Sequence, residues 1–376
     1  MKVMFIVYHD LMTNARSQEI WECASKLSSD TVLVSYSKPP QMLHGKAIIT
    51  GKGRRKYFSF IRASIMAIKA EKPEVVILHD NYTSAILRWL YKHRTDIHVI
   101  YDSSELYINR AKPTSLKLLV AGHMGYFEKR YLKYADIVIA ANLERAAIMK
   151  KHFALKETPI VFDNIHRIDD HYDKVECDNK YGHLFDKNVF TIIYGGGIAK
   201  ARMTFELAEA VGKLGDQYRL IITGQSTESD RLALQDLMQK KSWNNIAYLG
   251  FLPRNEWRYL LQNADISVSA FAQDTVNNIN CASGKLYEGL FEETPILVTE
   301  NPPLKRICNE FGVGVSNNDF QEGILELEND YESYQRNVQS YIKTIDMRAR
   351  IEALAETIKG KLKKQGILTE EGTKEV

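Results

Sequence analysis

Short continuous apolar runs alternate with longer amphipathic stretches almost throughout this chain, and they do so in two separate series. In the first series residues 3–8, 31–36, 75–79, 98–101, 137–141 and 160–162 read as strands. Helical patterns lie between them at 16–27, 57–70, 85–92, 116–134 and 143–152. The second series has strand patterns at 191–194, 218–223, 247–249, 266–270, 296–298 and 314–316, with helical patterns at 203–214, 227–241, 254–263, 285–291 and 303–311. Apolar strands without polar alternation, each followed by a helix, predict parallel sheets covered on both faces. The fold class expected is α/β, with two facing Rossmann-like, doubly wound domains. The first spans residues 1–165 and the second 188–345. Residues 166–187, polar and rich in Asp, His and Lys, read as the linker between them, and 346–376 as a C-terminal helix and tail that pack back on the first domain.

A length of 376 residues suits two cores, and 45% hydrophobic with 26% charged residues describes a soluble globular chain. The net charge of +3 gives no reason to expect a nucleic-acid partner. Cys23, Cys177, Cys281 and Cys308 are scattered, which fits neither a zinc site nor a disulfide framework and favours a reducing compartment. The apolar opening is too short for a signal sequence, and no segment approaches the length of a membrane span, so a cytoplasmic location is expected.

In open α/β sheets ligands lie beyond the carboxyl ends of the strands, and candidate residues cluster there. Gly284-Lys285-Leu286-Tyr287-Glu288 opens a helix after the small-residue loop Ala282-Ser283. Unpaired amides at such an end suit a phosphate, and a carboxylate one turn further in suits a sugar hydroxyl. An ordinary surface helix with a solvated Glu288 fits the same letters. Gly195-Gly196-Gly197 joins a strand to a helix with Lys200 and Arg202 close behind, which suits a diphosphate or a tight turn with solvated cations. Gly224 follows the next strand. Asp10, Asn14 and Arg16 follow the first strand of the chain, and His79 with Asp80 the third. Asp102-Ser103-Ser104-Glu105 follows the fourth, as a general base, an acceptor-binding carboxylate or a helix cap. Residues 46–72 mix Lys and Arg with Tyr57, Phe58, Phe60, Ile65 and Met66. Such a segment suits peripheral contact with an anionic membrane, or a solvated face over a core stripe.

Together these segments resemble the retaining glycosyltransferases of the GT-B type, family 4. Tyr101-Asp102-Ser103-Ser104-Glu105 is similar to the family's Asp-x-His-Glu segment, and Ala135-Asp136-Ile137 with Asn164 to the close of its acceptor domain. Leu249-Gly250 followed by Ala264-Asp265-Ile266 resembles the family's Leu-Gly and Ala-Asp pair, and Lys285-Leu-Tyr-Glu288 its donor helix. The resemblance implies transfer of a sugar, with retention, from a nucleotide-diphospho-sugar to a glycan or lipid-linked acceptor in surface polysaccharide synthesis. It implies no metal and no cofactor beyond that co-substrate. Glu288 would hold the ribose, and Arg202 and Lys285 the departing diphosphate, with Asp102 the fourth catalytic group. Gly196, Gly197, Lys200, Gly224, Asn280, Ser283, Gly284 and Leu286 would line the donor. Asp10, Asn14, Arg16, His79 and Glu105 would line the acceptor. Three positions depart from the pattern: Asn280 stands for a glutamate, Gly197 for an arginine and Ser104 for the histidine. They motivate the alternative of a non-catalytic, glycan-binding or partner-stabilising chain.

Overall fold

A computed structural model of the chain describes residues 1–9, 11, 14–36, 45–50, 56–93, 96–108 and 116–367. The chain forms two compact units, one of Met1–Asn164 with Asp346–Val376 and the other of Ile165–Ile345. In the first unit the strands are β1 (Lys2–Ile6), β2 (Asp30–Ser35), β3 (Lys46–Ile49), β4 (Val75–His79), β5 (His98–Ser103), β6 (Ile137–Ala140) and β7 (Ile160–Val161). Helices α1 (Ala15–Leu27), α2 (Lys56–Glu71), α3 (Ser84–His93), α4 (Leu116–Tyr131) and α5 (Leu143–His152) connect them. All strand pairs are parallel, in the order β3-β2-β1-β4-β5-β6-β7, so the order reverses between β1 and β4.

The second unit begins with α6 (Lys174–Tyr181) and then alternates β8 (Phe190–Tyr194), α7 (Thr204–Leu214), β9 (Tyr218–Ile222), α8 (Glu228–Lys241), β10 (Ile246–Tyr248), α9 (Arg254–Asn263) and β11 (Ile266–Ser269). It continues with α10 (Val276–Ile279), α11 (Gly284–Phe291), β12 (Ile296–Val298), α12 (Pro302–Phe311), β13 (Gly314–Ser316), α13 (Phe320–Asn329) and α14 (Tyr331–Ile342). Its parallel sheet runs β10-β9-β8-β11-β12-β13, again reversing beside the first strand. The Ala-Asp-Ile triplet that occurs once per unit has a structural role in each. Asp136 Oδ2 accepts the Val99 amide at 2.7 Å, and Asp265 Oδ2 accepts the Thr191 amide at 2.6 Å. Each carboxylate therefore pins the start of its own strand to the neighbouring one, closing a ladder whose first amide would otherwise lack a partner.

Three elements differ from the sequence expectation. Strand β3 lies inside the basic stretch 46–72. It is a largely exposed edge strand with no continuous apolar run to mark it. Residues 166–187, read as a linker, contain α6. Its Cys177 and Tyr181, with Leu184 beyond, pack on Trp257, Tyr259, Leu260 and Leu261, while its other residues face solvent. Among the described residues 103–108 no helix begins, so the cap reading of Ser103 and Ser104 fails; Ser104 and Glu105 form a bend.

Helix α15 (Met347–Lys364) belongs to the first unit. Ile351, Leu354, Ala355, Ile358 and Leu362 join Ile20, Trp21, Ala24 and Leu27 of α1 in one core. Arg350 fixes the register, donating to Glu19 Oε1 at 3.1 Å and to the Asp163 carbonyl at 2.7 Å. No described helix is long and apolar enough to cross a membrane.

Burial pushes the Glu19 carboxyl up to about 7 against the opposing pull of Arg350 and Arg16. An acid whose folded value is raised contributes stability below its unfolded value of 4.5 and loses it as pH rises through about 7. That interval corresponds to about 3 kcal/mol. Urea unfolding of Glu19→Gln against wild type should therefore show the variant gaining relative stability across this window. A difference independent of pH would show that Glu19 ionises normally.

Candidate functional site

The second unit gathers the glycine turn, the α11 tip and two cations at the carboxyl edge of its sheet. Glu288 is 9% exposed, one turn inside α11. The Trp257 indole N–H and the Lys285 ammonium both donate to its Oε2 at 2.8 Å, and no described residue donates to Oε1. Lys285 also lies 4.9 Å over the Trp257 ring. This leaves one oxygen fixed and the other able to accept from a hydroxyl. Ser283 caps α11: its Oγ accepts the Leu286 amide at 3.4 Å and pairs with Ser269 Oγ at 2.8 Å. The Gly284 and Lys285 amides open the helix without an intrahelical partner, as helix geometry requires.

Gly197 has φ +72°, and a Cβ there would lie 2.0 Å from the Gln225 carbonyl oxygen. The glycine is required by the chain's own backbone, as is Gly224, whose Cβ would meet the Gly197 amide nitrogen at 2.7 Å. A Cβ on Gly195 would strike the Trp257 ring at 2.8 Å, and one on Gly196 the Tyr194 hydroxyl. The turn is thus packed directly against the tryptophan that holds Glu288. Beyond it, Lys200 is exposed, and Arg202 lies 4.2 Å over the Phe271 ring. Neither forms an ion pair with a described residue, so both charges remain available to an anion.

Three expected donor contacts take other roles. The Leu286 side chain is core, and its amide goes to the cap. The Ser283 hydroxyl is occupied by that cap and by Ser269. The Asn280 amide nitrogen donates to the Val276 carbonyl at 2.9 Å, closing the short helix α10.

In the first unit Asp102 and His79 are entirely buried and Arg16 nearly so. Arg16 donates to both Asp102 oxygens, at 2.6 and 3.2 Å, and to the Phe162 carbonyl at 2.6 Å. His79 Nδ1 completes the carboxylate at 2.7 Å. The expectation of Asp102 as a base and Arg16 as an acceptor contact is corrected by this burial: the two form an internal ion pair that positions His79. Asn14 is likewise a cap, accepting the Ser17 amide at 3.0 Å. Asp10 lies outside the described residues.

His79 is not the end of the network. Its Nε2 lies 3.2 Å from Ser17 Oγ, which lies 2.8 Å from Nε2 of the half-buried His9. A neutral His79 accepts the Ser17 hydroxyl; a protonated one donates to Ser17 and turns that hydroxyl toward His9. Burial pulls the His79 imidazole down, but the Asp80 charge and the Asp102 hydrogen bond and charge outweigh it and hold it above its ordinary value. Burial raises the Asp102 carboxyl, and Arg16 and His79 more than reverse this. Asp80, at φ +58°, accepts both the amide and the hydroxyl of Ser104, while Arg145 donates to the Ser104 carbonyl and to Glu105 at 3.3 Å. Of the expected acceptor residues, Glu105 keeps a partly exposed carboxylate.

Sequence reasoning missed His9, Ser17 and Trp257. It also missed His166, whose ring abuts Gly284, where a Cβ would meet Nδ1 at 2.2 Å. Among the described residues no group of three or more His, Cys, Asp or Glu is placed to hold a metal ion.

No protein-family model matches the chain. An uncharacterised glycosyltransferase of Methanocaldococcus jannaschii is 24% identical over 193 residues, 49% of this chain and 45% of the relative. The chain thus matches less than half the length of that curated relative. Among solved structures, Anabaena HepE with UDP and glucose superposes with a TM-score of 0.69 at 13% identity, covering 96% of this chain and all of HepE (100%). Sucrose-phosphate synthase of Thermosynechococcus elongatus gives 0.70 at 13%, covering 96% and 98% of the two chains. WaaG, a glycosyltransferase of lipopolysaccharide biosynthesis, gives 0.68 at 15%, covering 95% and 100%. The fold is therefore that of GT-B glycosyltransferase structures, two Rossmann-like units with parallel sheets.

Replacing Arg16 with Met leaves Asp102 a buried charge with only His79 to balance it. Equilibrium unfolding in urea should show a loss of about 3–5 kcal/mol. A loss below about 1 kcal/mol, the scale of an exposed pair, would show that the ion pair is not what holds this edge together.

Proposed function

We propose that the chain is a retaining, metal-independent hexosyltransferase that moves a sugar from a nucleotide-diphospho-sugar to a glycan or lipid-linked acceptor in surface polysaccharide synthesis. The second unit takes the donor and the first the acceptor. One observation carries this reading: Glu288 has one oxygen fixed by Trp257 and Lys285 and the other able to accept, one turn inside a helix whose first amides are open. A ribose hydroxyl fits the second oxygen, and a diphosphate fits the helix tip. Lys200, Arg202 and Lys285 supply the positive charge that a departing diphosphate needs, in place of a metal. HepE, with the same fold, has been solved with UDP and with UDP-glucose, which supports a nucleotide-sugar donor.

In this mechanism the bond from the anomeric carbon to the phosphate oxygen breaks first. The acceptor oxygen then bonds that carbon on the face just vacated, and its proton passes to the leaving phosphate. Arg202 and Lys285 stabilise the charge developing on that phosphate. Glu288 acts through the ribose, holding the donor in register.

A non-catalytic reading draws on Asn280, committed to Val276, and on Ser104, committed to Asp80. Nucleotide binding without turnover of any donor would favour it. The outer face of α2 bears Phe58 and Met66, 64% and 58% exposed, beside Arg62 and Lys69. That face suits peripheral contact with anionic lipid. Co-sedimentation with phosphatidylglycerol vesicles should be lost in a Phe58→Glu/Met66→Glu variant, and its persistence would discard the contact.

The central test is binding of UDP, GDP, ADP and CDP by thermal shift and calorimetry. One nucleotide should stabilise the wild type. Glu288→Gln should weaken it about tenfold, and Arg202→Ala should weaken the diphosphate more than the parent nucleoside. Wild-type affinity in both variants would remove the donor site from α11.

A further inference from the structure

The carboxyl ends of β1, β2 and β4 carry an aromatic cluster that the His79 network does not use. Tyr8 is its centre. It stacks on Tyr82 at 5.1 Å and 29°, meets Phe60 and Tyr57 edge-on at 5.0 and 5.5 Å, and tilts against Tyr36 at 6.2 Å. Phe60 is the buried floor, Tyr8, Tyr36 and Tyr57 are half-buried, and Tyr82 is 37% exposed. The cluster lies where the strand order of this sheet reverses, the position at which doubly wound sheets take ligands. It is also continuous with the polar network, because His9 follows Tyr8 and its ring lies 5.1 Å from that of His79.

We propose that this cluster is a carbohydrate subsite that seats a pyranose ring of the acceptor with its C–H face on Tyr82, which Tyr8 backs from the other side. The inference rests on the reading of the first unit as the acceptor side. Three features select a sugar over an alkyl chain. Four of the five rings are tyrosines, so each apolar face ends in a hydroxyl, which suits a ligand that is itself apolar on one face and polar at its edge. The negative face of an aromatic ring attracts the C–H groups that a pyranose presents on its flat side. The Tyr57 hydroxyl is closed off from solvent and has no hydrogen-bond partner among the described residues. A buried hydroxyl in that state costs free energy that a hydroxyl-bearing ligand can recover and a hydrocarbon cannot.

The test uses the full chain and saturation-transfer NMR with methyl glucoside, methyl galactoside and methyl mannoside, with hexanol as the alkyl probe. At least one pyranoside should receive saturation, strongest at its ring C–H protons. Tyr82→Ala should reduce it about fivefold and Tyr82→Trp should keep it. Unchanged transfer in Tyr82→Ala, transfer to hexanol alone, or no transfer to any pyranoside would overturn the proposal. The thermal shift with the stabilising nucleotide is measured on the same samples. Wild-type far-UV circular dichroism and an unchanged urea-unfolding midpoint in Tyr82→Ala confirm that the unit carrying Tyr82 is folded. Loss of nucleotide binding by the wild type itself would sink the functional reading, whereas nucleotide binding with no pyranoside on the cluster sinks this inference alone.

Discussion

Burial of a parallel sheet on both faces sets the terms for everything else in this chain. Strands such as Val75–His79 and Ile137–Ala140 are inaccessible along their length, so a polar side chain on them must find a partner inside or be displaced to a strand end. Parallel strands put all of those ends on one edge. In each unit the order of strands reverses beside the first strand, and two loops part there. That is why His9 and His79 share a network in the first unit. In the second unit it is why the glycine turn after β8 and the segment after β11 meet, with the Ala272 amide donating to the Ala201 carbonyl at 3.0 Å.

The two edges use charge in opposite ways. Asp102 and Glu288 are both carboxylates with little exposure, yet Asp102 is saturated by Arg16 and His79 while Glu288 keeps an oxygen for something else. The difference lies in the partners. A bidentate guanidinium neutralises Asp102 inside the protein and fixes the imidazole behind it. An indole N–H and an exposed ammonium steady Glu288 on one side only. The cations follow the same division. Arg16 and Arg145 are buried and committed, whereas Lys200 and Arg202 have no carboxylate partner among the described residues. An ion pair buried that deeply gives little net stability, yet losing one partner strands the other as a buried charge. Cations left uncommitted keep their charge available to an anion.

How far the sequence revealed this depends on which physical rule each residue obeys. Strands 75–79, 296–298 and 314–316 and helices 143–152 and 254–263 were legible to the residue because periodicity and burial agree there. Strand β3 and helix α6 were not, because an edge strand and a helix with a sparse apolar stripe have no strong period. The helix start at Gly284, which puts Lys285 and Glu288 in the first turns of α11, was legible from the small-residue loop before it, and Arg202 was singled out by its place behind the glycine turn. The true task of Asp102 and Arg16 was hidden, since 86 residues separate them and no local pattern shows that they meet. Trp257 was hidden for the same reason: its hydrogen bond reaches 31 residues along the chain.

Three residues that depart from the motifs this sequence resembles each have a local setting in the structure. At position 197 the backbone is left-handed and the space for a Cβ is filled by the Gln225 carbonyl, so an arginine there would strain the turn whatever the ligand. The cations nearest in sequence, Lys200 and Arg202, stand where the turn ends. At position 104 a serine gives both its amide and its hydroxyl to Asp80, and two other imidazoles lie at this edge, His79 at the end of β4 and His9 beyond β1. At position 280 the asparagine closes a short helix through its own side chain, which no glutamate could do, because a carboxylate has no N–H to donate to the Val276 carbonyl. At positions 197 and 280 the residue present thus makes a local arrangement that an arginine or a glutamate could not.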